Sequence, residues 1–560
     1  MNLDARTIHD PITLEILSNA LASITDETYI ALMKSAYSTN LKERNDHSTA
    51  IIDVRGRLVV QARRSLPIHI ASMTGLVEIL LATRRDDIEE GDIFIANDPH
   101  VAGGSHLPDI NLAMPVFRER RLVAFICDIA HHADVGGMVP GSMAGGMTEI
   151  YQEGLRIPVI KLFRRGELQA DVMALLLLNV RSPHERRGDY FAQIAACKLG
   201  VRRLDEVIDR FGLEPTLSAF DEIIRRTELR LRSALRVIPD GVYRFEDVMD
   251  DDGLGTRDIR IKLAIHKYGE RLRFDFTGTG KQVPGNINVT LNATLASVCF
   301  ALKALLDVDA PNNHGVINVA EITAEPGSFV AATFPAAVAA RAHTCQRIVD
   351  IVIGALAPCM PDRVVGASNG ANTTAVFAGN DPRSGAPYVY LETLGGGFGG
   401  RAQKDGKDAV QVHITNTSNL PIEAIELEYP LMVEEYALVE DSGGPGKYRG
   451  GLGLRRSIRP VGHVCSFNGA GERFTNRPWG IFGGGPGAPG RFYLRRADGS
   501  EEALPSKPLG VAVGPTDQVV VESPGAGGYG DPHERLRDAI VADQRSGKFS
   551  AAFLATAYKA

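Results

Sequence analysis

The sequence predicts an α+β, multi-domain protein, with a helical and β-hairpin N-terminal half and a β-rich, glycine-containing C-terminal half. Three observations carry this. The chain has 560 residues, which at roughly 150 residues per domain suggests three to four domains. Apolar residues recur at three-to-four spacing near the start and again from Leu168 to about Arg232, whereas short apolar runs bounded by turn residues dominate elsewhere. Glycine is abundant, 58 residues beside 30 prolines, yet the two together stay well below the ~25–30% of low-complexity chains and show no period of three.

The elements follow in order. Pro11 opens a helix with Ile12, Leu14, Ile16, Leu17, Leu21 and Ile24 on its apolar stripe. A hairpin pairs Ser48–Asp53 with Arg57–Gln61 across Val54-Arg55-Gly56, and a second helix covers Ile70–Arg84. Strand Asp92–Ala96 runs into the turn Asn97-Asp98-Pro99, and a further hairpin joins Asn111–Phe117 to Leu122–Ala130. After Pro239-Asp240-Gly241 the runs Tyr243–Met249, Ile259–His266 and Leu272–Phe276 read as a β meander. Leu295–Leu306 and Ile348–Leu356 read as helices, Gly395 to Gly490 as strands broken by glycine-rich turns, and the tail from His533 as helical. The expected units are residues 1–240, a mixed β/α unit 241–430, a β-rich region 431–535 and a helical tail 536–560. There is no internal repeat.

Lys and Arg number 61 against 68 Asp and Glu, a net charge of −7, and no aromatic-plus-basic ladder accompanies the single Trp, which excludes a typical nucleic-acid binder. The six cysteines form no CxxC pair, so neither a disulfide framework nor a zinc knuckle is expected. The start, MNLDARTIHD, lacks the basic-then-apolar pattern of a leader. No apolar run approaches the ~18 residues of a membrane span. A cytoplasmic protein without membrane contact is expected.

Two stretches concentrate chemistry. One is Asn97-Asp98-Pro99-His100 through Gly104-Ser105-His106-Leu107-Pro108-Asp109; the other is Cys127-Asp128-Ile129-Ala130-His131-His132-Ala133-Asp134. A lone histidine at a strand end is usually a surface hydrogen-bonding group, but four of the chain's 14 histidines fall here. Adjacent strand ends lie about 5 Å apart, so His106 and Asp109 can meet a histidine at the end of the second strand. Two imidazoles and a carboxylate with open positions suit a reactive divalent metal. Spacing leaves His131 and His132 as alternatives, because neighbouring strand residues face opposite ways. Other motifs fail their context. Gly395, Gly397 and Gly400 match GxGxxG but no apolar helix follows, and Gly278-Thr279-Gly280-Lys281 lacks phosphate-loop spacing. Any nucleotide is expected on a partner.

With these residues in place the chain resembles the hydantoinase B/oxoprolinase family. The matching stretches include Asp10-Pro11-Ile12-Thr13-Leu14-Glu15, Glu43-Arg44-Asn45-Asp46-His47-Ser48, the two histidine segments, Glu153-Gly154-Leu155-Arg156-Ile157-Pro158, Asp275-Phe276-Thr277-Gly278, Gly395–Gly400 and Gly527-Gly528-Tyr529-Gly530-Asp531-Pro532. Together they cover roughly residues 10–535. The chain departs from the family pattern at His47, where an aromatic is common, and at Val159, where a second proline is common.

The resemblance implies that His106, Asp109 and His131 bind zinc or manganese, with Asp46 a further ligand or a neighbour of the ligands. His132 and Asp134 would orient the attacking water, take its proton, or support His131 from behind. It further implies the metal-bearing, B-type subunit of an ATP-dependent hydrolase that opens a hydantoin, 5-oxoproline or lactam ring. A hydantoinase A-like ATPase subunit would bind ATP and Mg and phosphorylate the amide, in a hetero-oligomer such as a heterotetramer. The alternatives are a subunit of an ATP-dependent ketone carboxylase, of acetone or acetophenone type, and a non-catalytic scaffold for the ATPase.

Overall fold

A computed structural model describes residues 10–558; residues 1–9 and 559–560, at the ends of the first and last expected units, lie outside the described residues. The first helix, Pro11–Ser35, starts where the Asp10 carboxylate accepts the Ile12 and Thr13 N–H groups, both at 3.0 Å, with Pro11 at the first helical position. Leu14, Leu17, Leu21, Ile24 and Leu32 are buried along it, while Ile12 and Ile16 face solvent, so the apolar stripe is narrower than the sequence suggested.

Seven strands form the sheet that matters most here: β1 (His47–Asp53), β2 (Leu58–Gln61), β3 (Ile93–Ala96), β4 (Asp109–Arg118), β5 (Arg121–His131), β6 (Ile160–Arg164) and β7 (Glu167–Leu168). Their order is β2-β1-β5-β4-β3-β6-β7, antiparallel throughout. Helices Pro11–Ser35 and Pro183–Phe211 cover one face and helix Ile70–Arg84 the other. Period-2 alternation therefore buries both sets of side chains. On β5, Ala124 and Ile126 join the core under the long helices, and Phe125, Cys127 and Ile129 join the core under Ile70–Arg84.

The meander predicted after Gly241 forms as β8 (Gly241–Asp251), β9 (Arg257–Tyr268) and β10 (Arg271–Asp275), with β11 (Ala320–Thr323) added in parallel to β10. It packs on helix Arg341–Leu356, which is buried at every position. That helix carries Arg341 at its N-terminal end.

Two further sheets complete the fold. One has the order β13-β12-β16-β19, from β12 (Thr374–Asn380), β13 (Pro387–Thr393), β16 (Cys465–Ala470) and β19 (Val511–Val513). The other runs β14-β15-β20-β17-β18, from β14 (Leu431–Leu438), β15 (Leu454–Pro460), β17 (Arg491–Arg495), β18 (Glu501–Leu504) and β20 (Gln518–Glu522). Because β12 pairs with β16, residues on both sides of position 430 share a sheet. Sequence reading missed the β12–β13 hairpin and expected strands from Gly395 onward. Residues 395–421 instead make only isolated bridges, such as Gly396 with Val410, because their glycines pack backbone against backbone. The tail folds as helices Arg537–Arg545 and Ala551–Tyr558. Among the described residues, no helix is long and apolar enough to cross a membrane.

Candidate metal centre

Asp109 is the first residue of β4 and His131 the last of β5, and the antiparallel register sets them directly opposite each other. His106 lies three residues before Asp109 in the connection from β3. That connection is fastened along its length. Asn97 donates through Nδ2 to the carbonyls of Leu107 (2.8 Å) and Leu155 (2.9 Å). The Asp98 carboxylate accepts the His100 and Val101 N–H groups at 2.8 and 2.9 Å, a turn that aspartate favours. Gly103, at φ +71°, lies so close to helix Ile70–Arg84 that a Cβ there would sit 2.3 Å from the Gly75 carbonyl carbon.

Three ligand atoms converge as a result. His106 Nε2 is 3.1 Å from Asp109 Oδ1 and 3.2 Å from His131 Nδ1, and His131 Nδ1 is 3.3 Å from Asp109 Oδ1. Ligand atoms about 2.1 Å from a common ion, at angles of about 95–105°, stand about 3.1–3.3 Å apart, so the triangle has the dimensions of a metal's ligand set. The hydrogen positions agree. His106 Nδ1 is 2.8 Å from the Ala339 carbonyl oxygen, which only accepts, so Nδ1 carries the hydrogen and Nε2 presents a lone pair. A bare nitrogen and a carboxylate oxygen that close together, both buried, call for a cation or a proton between them. The three residues fit a divalent ion.

The electrostatics point the same way. Burial and the nearby Arg341 guanidinium lower the His106 pKa to about 4, which keeps the imidazole neutral and able to ligate. Burial works against ionised Asp109, yet the carboxyl is held well below the usual carboxylate range, with the permanent charge of the Arg341 guanidinium beside it. Arg341 Nη2 donates to Asp109 Oδ2 at 2.7 Å, and the Ser105 hydroxyl donates to the same oxygen, which leaves Oδ1 for the ion. His106, Asp109, His131 and Arg341 line a cavity of about 30 Å³, room for about two waters. Asp46, His69 and Thr415 also line it, and Thr415 borders a second cavity of about 360 Å³. A larger cavity lies elsewhere, between the β1–β2 turn and helix Leu213–Ala234, and its arginines are paired with acids such as Asp221 and Glu222.

The structure brings His106, Asp109 and His131 together and separates two residues expected to work beside them. His132 turns to the opposite face of the sheet, where its Nε2 lies 2.9 Å from Gln193 Oε1 and its ring packs on Tyr190. The Asp134 carboxylate accepts from Arg181 and from the backbone N–H groups of Gly136 and Gly141, fastening a loop. Neither lines the cavity. The expectation that they orient or deprotonate water is corrected, because the alternation that delivers His131 to the cavity sends His132 away from it. Asp46 does reach the cavity wall. Its carbonyl accepts the His131 N–H at 3.0 Å and its carboxylate lies 3.8 Å from Arg44. His47, at a position where the resemblance implies an aromatic, stacks on Tyr29 with ring centroids 4.0 Å apart and does an aromatic's packing.

Sequence reasoning missed His69, Arg341 and Ser105 as contributors. Ser105 sat inside the histidine motif and was the one within reach. His69 and Arg341 arrive from distant helices, and no local pattern marks them.

Comparison with known proteins finds relatives along nearly the whole chain. The family model described as "Hydantoinase B/oxoprolinase" matches residues 10–532. The putative B-type subunit of the D-/L-hydantoinase of Pseudomonas sp. (strain NS671) is 32% identical, covering 96% of this chain and 93% of that one. The beta subunit of the caprolactamase of Pseudomonas jessenii is 32% identical over 97% of this chain and 94% of its own. The 5-oxoprolinase 1 of Arabidopsis thaliana is 33% identical over 94% of this chain, which spans 42% of that protein. The crystal structure of the ATP-dependent caprolactamase from Pseudomonas jessenii superposes with a TM-score of 0.92 at 29% identity, covering 99% of this chain and 96% of that one. A nucleotide-free acetone carboxylase structure shares the fold, with a TM-score of 0.92 at 19% identity, over 99% of this chain and 80% of that one.

Proposed function

The chain belongs to the hydantoinase B/oxoprolinase family, and from that premise we propose that it is the metal-bearing, B-type subunit of an ATP-dependent cyclic-amide hydrolase. The observation that carries this is the buried His106–Asp109–His131 triangle, in a chain whose relatives are named hydantoinase and caprolactamase subunits. The substrate is a hydantoin, a 5-oxoproline or a lactam. The partner is a hydantoinase A-like ATPase subunit that binds ATP and Mg and phosphorylates the amide, and the two chains form a hetero-oligomer.

His106 through Nε2, Asp109 through Oδ1 and His131 through Nδ1 hold the divalent ion, zinc or manganese. Such an ion supplies Lewis acidity, bringing the pKa of bound water toward 7 and polarising a carbonyl oxygen. The chain's own residues do the rest. Arg341 and Ser105 keep Asp109 ionised and fix which oxygen it offers. Asp46 places a second carboxylate on the cavity wall, where it accepts a proton from attacking water. The ring occupies the 360 Å³ cavity beyond Thr415, since the inner one holds only about two waters.

The test is metal analysis joined to reconstitution. One equivalent of zinc or manganese, lost in His106→Ala, and ATP-dependent ring opening that needs both subunits are the expected results. An active complex indifferent to chelators sinks the metal assignment. Incorporation of labelled bicarbonate into a ketone would replace the hydrolase with the carboxylase, and full turnover by the His106→Ala complex would leave the chain a scaffold.

A further inference from the structure

Of the three histidines that line the cavity, His106 and His69 present opposite chemistry, and the difference is set by what stands behind each ring. Behind His106 is a carbonyl, so its inner nitrogen is bare. Behind His69 is the Ser48 hydroxyl, 2.9 Å from Nδ1. Ser48 Oγ already accepts the Leu66 N–H at 3.0 Å. Among the described residues, the only acceptor in reach of its hydrogen is His69 Nδ1. The serine therefore donates to Nδ1, and the hydrogen of the neutral ring sits on Nε2.

That Nε2–H lines the cavity with the ligand triangle. The nearest carboxylate oxygen, Asp109 Oδ2, is 3.7 Å away, too far for a hydrogen bond, and is already occupied by Ser105 and Arg341. His69 is 1% exposed and begins helix Ile70–Arg84, so the ring is held by a rigid element. A preorganised donor in a dry site, pointed at the place where charge develops, is worth more than the same donor in water.

We propose that His69 is a catalytic residue, donating Nε2–H to the oxygen of the substrate's reacting carbonyl group, with Ser48 as the positioning residue that fixes its tautomer. This rests on the cyclic-amide reading above. The donor forms a hydrogen bond and transfers no proton, so the imidazole stays neutral. It binds the oxygen, phosphorylated or free, of the carbon that becomes tetrahedral.

The experiment has two arms. In the zinc-loaded full chain, nitrogen-15 spectra of the imidazoles are expected to show His69 as the Nε2–H tautomer, with Ser48→Ala shifting it toward a mixture. In the complex with the ATPase subunit, assayed on hydantoin, 5-oxoproline and ε-caprolactam, His69→Ala is expected to lower kcat by about 100-fold with KM and zinc stoichiometry unchanged. His69→Gln, which places an amide N–H near the same point, is expected to recover part of that loss. An Nδ1–H tautomer, zinc loss in His69→Ala, or undiminished kcat overturns the proposal. If the wild-type complex opens none of the three rings, the amidohydrolase reading fails and the tautomer spectrum alone decides the donor assignment.

Discussion

The metal-site sheet and the glycine-rich C-terminal region bring distant segments together by opposite means. Around His106, Asp109 and His131, segments are joined by side chains, each held by a further side chain or carbonyl. In the C-terminal region they are joined by the absence of side chains. A Cβ on Gly399 would lie 1.8 Å from the Gly366 carbonyl oxygen, and one on Gly527 would lie 1.9 Å from that of Trp479. Backbone bonds lace the same segments, with Gly400 N–H on the Gly527 carbonyl and Gly527 N–H on the Ala367 carbonyl, both at 2.8 Å. Neither Gly399 nor Gly527 has a positive φ, so space rather than conformation demands glycine there. The lesson concerns what glycine means. As sequence, all such clusters read as turns, but many of the later ones are contact surfaces between main chains.

The sharpest way to break this comparison is to add one methyl group. Gly527→Ala is expected to destabilise by about 3 kcal/mol or more, since backbone cannot yield as a flexible side chain does. Gly166→Ala provides the contrast: φ is +86° and nothing lies within 4 Å of the added carbon, so only conformational strain of about 1–2 kcal/mol is expected. Urea unfolding of both variants measures the difference. Similar losses would show that conformation, not space, governs the C-terminal glycines.

A smaller effect is expected where side chains do the joining. Arg341→Met keeps length and apolar bulk but removes the 2.7 Å donor from Asp109. Divalent affinity is expected to fall about 10–100-fold, read by zinc competition against a chromogenic chelator, with the urea midpoint moving little. Unchanged affinity would mean that the ligand triangle is held by its strands alone.

How much of this was legible in the sequence follows the same division. His106, Asp109 and His131 could be brought together on paper because one antiparallel pair of strands does it, and strand periodicity is local information. The opposite facing of His131 and His132 was also foreseeable, though not which one enters the cavity, since that depends on which helix covers which face. His69 and Arg341 were invisible because nothing within a window around either residue records that its helix ends at β4. The β12–β13 hairpin was overlooked beside the glycine-rich stretch that follows it. The glycines of 395–400 were misread because a tight turn and a close main-chain approach leave the same letters.

The two regions should also part company with pH, because a main-chain layer has nothing to titrate and a side-chain layer does. Behind the site, on the face of the sheet that takes His132, Asp128 accepts from Gln193 Nε2 at 2.8 Å and from the Cys197 thiol at 3.2 Å. Burial raises its pKa from 3.8 to about 8, against the pull of those two hydrogen bonds. Between these values the folded chain keeps a proton on Asp128 that the unfolded chain releases. The folded state then binds more protons than the unfolded one, so this residue makes stability fall as pH rises from about 4 to about 8, by at most about 1.4 kcal/mol per pH unit. Asp128→Asn removes the titration while keeping a neutral group of the same shape. Its urea midpoint is expected to match wild type near pH 4 and to exceed it progressively up to pH 8. Parallel curves for the two proteins across that range would show that Asp128 is already ionised in the fold, with Gln193 and the thiol sufficient to hold a buried charge.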